Sequence, residues 1–155
     1  MKTCDVLVVG AGTGGAVCAK QLAMHGADVI VIDRREQKLI GKKICGNATA
    51  YCYFDNLVGL VEIPKNEELI WEVDGLNIYG PDMEHKIEIY DPQLSGIMID
   101  RLKFGQRLVN DMIKEGAQLF DKTKCADILL EENKVAGIKV INTQTNTKDK
   151  IIIIL

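Results

Sequence analysis

Gly10-Ala-Gly-Thr-Gly-Gly15 has the spacing of a phosphate-binding turn, G-x-G-x-x-G. Each glycine of that pattern meets a different steric need. Gly10 permits a tight turn out of a strand, Gly12 lets a pyrophosphate approach the backbone, and Gly15 allows helix and strand to pack closely. The phosphates would sit at a helix N-terminus, where unpaired N–H groups and the helix dipole favour negative charge. Asp33 follows Gly10 by 23 residues, where a carboxylate can accept hydrogen bonds from ribose hydroxyls. The plain alternative is a glycine-rich turn with no ligand, and the flanking elements argue against it.

Those elements are legible. Asp5 to Val9 is a short β-branched run that predicts a buried parallel strand. Thr13 to His25 carries apolar residues at helical spacing, with Gly26 placed as a C-cap glycine. Asp28 to Ile32 predicts a second buried strand ending at Asp33. Strand, helix and strand together have the size of one βαβ unit.

The βαβ unit alone does not separate NAD(P) from FAD. A nicotinamide dehydrogenase usually continues with further βα units. Here residues 34–60 are mixed, and Trp71 to Tyr79 and Lys86 to Tyr90 read as an antiparallel pair joined through Gly80-Pro-Asp82. Asp100 is placed to cap a helix through about Glu115, closed by Gly116. Ala117 to Asp121 predicts a short strand. Cys125 to Glu131, Lys134 to Asn142 and Lys150 to Leu155 predict a meander with turns at Glu132-Asn133 and Thr143 to Thr147. That order suits the FAD domain of a large flavoprotein. Arg34, directly after Asp33, raises a 2′-phosphate and hence NADP; a solvated arginine capping the adenosine pocket is the preferred reading. The apolar run Ile151 to Leu155 would leave an aggregation-prone edge, so the expectation is a fragment or an end covered by a partner.

Bulk properties exclude several classes. The 155 residues carry a net charge of −3, with 47% hydrophobic and 26% charged residues, which offers no electrostatic case for nucleic acid. Cys4, Cys18, Cys45, Cys52 and Cys125 form no CxxC pair and no zinc spacing, and His25 and His85 are isolated, so no metal site is expected. Free thiols without an export signal point to the cytoplasm. No apolar run approaches the roughly 20 residues of a membrane span; a peripheral position at a membrane surface stays open.

With Gly10 to Asp33 followed by Gly41-Lys-Lys-Ile-Cys45-Gly46-Asn47-Ala48, the sequence resembles the geranylgeranyl reductase family. These are flavoproteins related to p-hydroxybenzoate hydroxylase. The stretches Leu76 to Asp82, Ile99 to Phe104 and Lys134 to Gly137 extend the resemblance over nearly the whole chain. It implies FAD-dependent reduction of isoprenoid C=C bonds in geranylgeranyl (glycerophospho)lipids or related prenyl chains. An external electron donor, NADPH or ferredoxin, would be needed. Carried over, Gly14, Gly15 and Asp33 match FAD contacts near pyrophosphate and ribose. Cys45, Gly46 and Ala48 match the loop toward the flavin, Arg101 an arginine opening the mid-chain helix, and Cys125 a meander position against the cofactor. A reactive Cys45 would need to be a thiolate, which Lys42 and Lys43 would favour; packing is the plain alternative, and no catalytic residue is assigned. The family's later Asp-Gly motif and its C-terminal half are not in this sequence.

The expected class is therefore α/β: a Rossmann-like FAD/NAD(P)-binding domain with a βαβ start, an antiparallel β insertion and a three-stranded meander, incomplete at the C-terminus. Residues 1–60 and 98–155 would form the FAD-binding domain, and 61–97 an insertion contributing to a substrate domain. Two alternatives stand beside the reductase. One is another FAD-dependent monooxygenase or dehydrogenase of the superfamily, and the other is a truncated, non-catalytic nucleotide-binding fragment.

Overall fold

The computed structural model describes residues 2–90 and 95–154. The chain runs through strands β1 (Lys2–Cys4) and β2 (Val6–Val9), helix α1 (Thr13–Met24), and strand β3 (Val29–Ile32). Strand β4 (Ala48–Ala50) and the short helix α2 (Cys52–Asp55) follow, then β5 (Leu69–Val73), β6 (Gly75–Tyr79), β7 (Lys86–Tyr90) and β8 (Gly96–Ile99). Helix α3 (Arg101–Lys114) leads into β9 (Gln118–Phe120), β10 (Thr123–Glu131), β11 (Lys134–Asn142) and β12 (Lys148–Ile153). Two compact units result: residues 1–42 with 105–155, and residues 43–104.

In the first unit, β2, β3 and β9 form a parallel sheet in the order β2-β3-β9, with Val6 opposite Val29 and Ile30 opposite Gln118. β3 is Val-Ile-Val-Ile and buried throughout, as expected of a strand covered on both faces. Ile30 and Ile32 join Cys4, Ile138, Val140 and Ile151 in one core cluster, with Leu7, Phe120 and Cys125 packed against it. By alternation Val29 and Val31 face the other side, and α1 packs on β2 and β3. The helix contributes small buried residues, Ala16 and Ala19, so it lies close to the sheet. It ends at Gly26, whose φ of +87° is open to glycine at no steric cost.

The core's other layer is a mixed sheet in the order β1-β12-β11-β10, antiparallel except for the β1–β12 pair. Glu132 and Asn133, both with positive φ, make the two-residue turn between β10 and β11. The predicted meander is present and gains a fourth strand, because β1 pairs in parallel with β12. This corrects the expectation of an exposed apolar edge at Ile151 to Ile153. β12 is an inner strand with β11 on one side and β1 on the other. Leu155, the last residue of the predicted strand, lies outside the described residues.

The second unit holds an antiparallel sheet in the order β4-β8-β5 and the separate pair β6-β7. The stretch read as one strand, Trp71 to Tyr79, is two strands parted at Asp74. β5 pairs with β8, whereas β6 pairs with β7. A side chain at Gly75 would stand 2.6 Å from the Ile89 carbonyl oxygen, so glycine is what lets the chain change partner there. Phe54 meets Phe104 edge-on at 6.2 Å between ring centroids. Among the described residues, no helix is long and apolar enough to cross a membrane.

Helix α3 starts in the second unit and continues in the first. Asp100 is its N-cap: Oδ1 accepts the amides of Leu102 at 2.9 Å and Lys103 at 3.0 Å. Asp100→Ala is expected to destabilise the protein by about 1 kcal/mol, lowering its thermal midpoint by about 3 °C. Asp100→Asn should recover most of that loss. Calorimetry on the two variants checks both statements.

Candidate functional site

The turn between β2 and α1 carries the first group of candidates. Gly10 has a φ of +105°, and its N–H donates to the Ile32 carbonyl at 2.8 Å. Gly12 is the N-cap of α1 without a side-chain cap, and Ala16 N–H donates to its carbonyl at 2.8 Å. The amides ahead of that first helical bond have no intrahelical acceptor. The glycines differ in what surrounds them. A Cβ on Gly12 or Gly14 would meet nothing within 4 Å, whereas a Cβ on Gly15 would lie 1.9 Å from the Gly10 carbonyl oxygen. Gly12 and Gly14 thus border open space at a helix N-terminus, the place an anion would occupy. Gly15 is a packing requirement.

Beside this turn lies a cleft of about 400 Å³ within the first unit. Gly10 and Gly12 form one wall, Asp33, Arg34 and Arg35 a second, and Thr123, Lys124 and Cys125 a third, with Gly41 at the rim. The volume is within the usual range of small-molecule sites. Asp33 accepts the Ala11 amide on Oδ2 at 3.0 Å and the Arg35 amide on Oδ1 at 2.8 Å. Arg35 is tied down further, its guanidinium donating to the Lys42 carbonyl. The side chains of Arg34 and Lys124 have no hydrogen bond or ion pair among the described residues. Three cations against one carboxylate make this an anion-favouring cleft.

The third wall is a strand edge. β10 lies at the end of its sheet, and Thr123 N–H points away from β11 to donate to the Asp33 carbonyl at 2.8 Å. Cys125 is two residues further along, opposite Val140. In an antiparallel ladder its N–H projects from the same edge as that of Thr123, and it has no backbone partner among the described residues. The ladder breaks register just after it, between Cys125 and Asp127. Cys125 therefore presents a main-chain donor at the cleft edge, which can serve a ring nitrogen of a heteroaromatic such as adenine.

Five of the sequence candidates, Gly10, Gly12, Asp33, Arg34 and Cys125, come together around this cleft. Gly14 and Gly15 sit in the first turn of α1. The remaining four belong to the second unit. Cys45 and Gly46 are exposed in an irregular stretch, Ala48 opens β4 opposite Met98, and Arg101 is the half-buried first residue of α3. Sequence reasoning missed Arg35, Gly41, Thr123 and Lys124 as cleft residues. Arg35 had a local signal, since an aspartate readily accepts the amide two residues on. Thr123 and Lys124 had only their adjacency to Cys125.

The profile of the FAD binding domain family matches residues 3–151. Digeranylgeranylglycerophospholipid reductase of Sulfolobus acidocaldarius is 30% identical over 92% of this chain and 30% of its own length. Digeranylgeranylglycerophospholipid reductase 2 of Methanococcoides burtonii is 30% identical over 96% of this chain and 36% of its own. The crystal structure of a geranylgeranyl bacteriochlorophyll reductase-like protein from Thermoplasma acidophilum superposes with a TM-score of 0.79 at 29% identity. That match covers 99% of this chain and 38% of the other. The chain thus spans about a third of the length of the curated relatives it matches. With the glycine turn, the acid at the end of β3 and the meander edge arranged as described, the chain belongs to the FAD binding domain family, and its cofactor is FAD.

Proposed function

We propose that this chain is the cofactor-holding part of an FAD-dependent oxidoreductase of the geranylgeranyl reductase type, which reduces isoprenoid C=C bonds in geranylgeranyl (glycerophospho)lipids or related prenyl chains. The observation that carries the reading is the three-walled cleft, where open glycine backbone, Asp33 and the Cys125 edge stand together. In this reading the first turn of α1 holds the pyrophosphate through amides left open by Gly12 and Gly14. Asp33 accepts from the ribose on lone pairs the two amides leave free. The main chain of Cys125 reads the adenine, and Arg34 covers the adenosine. Gly10 and Gly15 shape the turn. The stretch Cys45, Gly46 and Ala48 and the helix-opening Arg101 contact the cofactor toward its ring. Residues 1–60 and 98–155 form the cofactor domain, and 61–97 contribute to the substrate domain.

FAD held in this cleft and reduced by an external donor would supply the hydride for one alkene carbon, with a proton arriving at the other. The residues described here bind and orient it; none of them is assigned to proton transfer. The names of the relatives support an isoprenoid lipid as substrate. FAD titrated into the purified chain should bind with quenching of flavin fluorescence. Incubating the reduced full-length protein with geranylgeranylated glycerolipid should add two mass units for each double bond saturated. Absence of FAD binding would overturn the cofactor assignment. Binding with no saturation would leave a nucleotide-holding chain.

A further inference from the structure

Asp33 is joined to its surroundings through four polar atoms. Its N–H donates to the Phe120 carbonyl at 3.1 Å, and its carbonyl accepts the Thr123 amide at 2.8 Å. Oδ2 accepts the Ala11 amide at 3.0 Å, and Oδ1 accepts the Arg35 amide at 2.8 Å. The end of β9, the start of β10, the turn after β3 and the glycine turn therefore meet at one residue. A carboxylate that served only ribose would not need two main-chain amides on its two oxygens. The glycine turn, in contrast, does need an anchor. Glycine loses more conformational freedom on ordering than any other residue, and Gly10-Ala-Gly-Thr-Gly-Gly15 is mostly glycine.

We propose that Asp33 is a positioning residue: its carboxylate latches the glycine turn, through the Ala11 amide, to the turn after β3, and so holds residues 10–12 in the shape that receives a pyrophosphate. This rests on the FAD reading of the cleft and adds to it a role that precedes ligand. The physical argument is one of populations. A turn that is competent only part of the time binds more weakly by that fraction. The carboxylate raises the competent fraction whether or not the ligand carries ribose hydroxyls. Asparagine cannot replace it, because it offers one acceptor oxygen, and its NH₂ would face the second amide donor to donor.

The test compares ADP with 2′,3′-dideoxy-ADP, which keeps the pyrophosphate and lacks the hydroxyls. Asp33→Asn should weaken both by similar factors, about tenfold. In the ligand-free protein, Asp33→Asn should quicken amide exchange at residues 10–12 ahead of that in the rest of α1, an effect that a contact made only to bound ribose would not have. Loss of ADP affinity with dideoxy-ADP binding unchanged would overturn the latch and leave a ribose contact alone. Unchanged exchange at residues 10–12 would also overturn it. If Asp33→Asn does not fold, Asp33→Glu, which keeps both acceptor oxygens, decides by the same two readouts. Quickened exchange in a protein whose wild type binds neither nucleotide would uphold the latch and overturn the FAD reading.

Discussion

Gly15→Ala should yield a protein that no longer retains FAD and is destabilised by several kcal/mol. The added Cβ would lie 1.9 Å from the Gly10 carbonyl oxygen, 3.1 Å from its carbon and 3.3 Å from Val8 Cγ1. The first two neighbours are backbone, so no rotamer change relieves the contact. Either α1 moves off β2 or the glycine turn opens. Moving the helix lifts Ala16 and Ala19 out of the core, where both are buried. Opening the turn breaks the bond from Gly10 N–H to the Ile32 carbonyl. A loss of about 3 kcal/mol is expected, the upper end of ordinary overpacking, because the neighbouring backbone cannot yield. Urea denaturation followed by circular dichroism would measure it. A wild-type midpoint with FAD still bound would show that helix and strand are not in the contact described.

Gly14→Ala is the matched control one residue earlier. Its Cβ meets nothing within 4 Å, and the residue is already helical. Alanine is a better helix former than glycine, so the ligand-free protein should gain about 0.5–1 kcal/mol. FAD affinity should fall nonetheless, because the methyl group enters the open space at the helix N-terminus. Opposite signs on stability and binding at Gly14, against a joint loss at Gly15, separate the open backbone of the site from its packing.

This contrast also shows what the sequence could reveal. The glycine turn, α1, Gly26, β3 and Asp33 lie within a short stretch, and each has a local signal: a β-branched run, helical spacing, a C-cap glycine. They were legible for that reason. β1 was not, because Lys2–Cys4 is too short for a pattern and its partner, β12, lies at the other end of the chain. β4 and β8 are similarly brief and make sense only as a pair, Ala48 opposite Met98. The change of partner at Gly75 was hidden because residues on both sides favour strands. In the site, Asp33 and the glycines were legible as a motif. The approach of Thr123 to Asp33 joins segments 90 residues apart, and no spacing rule announces that. Its consequence, an open N–H at Cys125, emerges only from the register of β10 on β11.

Gly137 is where this long-range register is most exposed to a single substitution. It lies within β11, between Leu129 of β10 and Ile152 of β12. A Cβ there would stand 2.2 Å from the Ile151 carbonyl oxygen and 3.0 Å from Ile152 Cα. Relief would require β12 to part from β11, which uncovers Ile138, Val140 and Ile151, three members of the buried cluster beneath β3. Gly137→Ala should therefore cost about 3 kcal/mol. Amide exchange at those three residues should quicken ahead of that in α1, because the damage starts in the meander. FAD affinity should fall as well, although Gly137 does not line the cleft, because Val140 holds the register of Cys125. A variant with unchanged exchange and unchanged affinity would mean that β11 and β12 do not share this register, and the edge presented by Cys125 would have to be drawn differently.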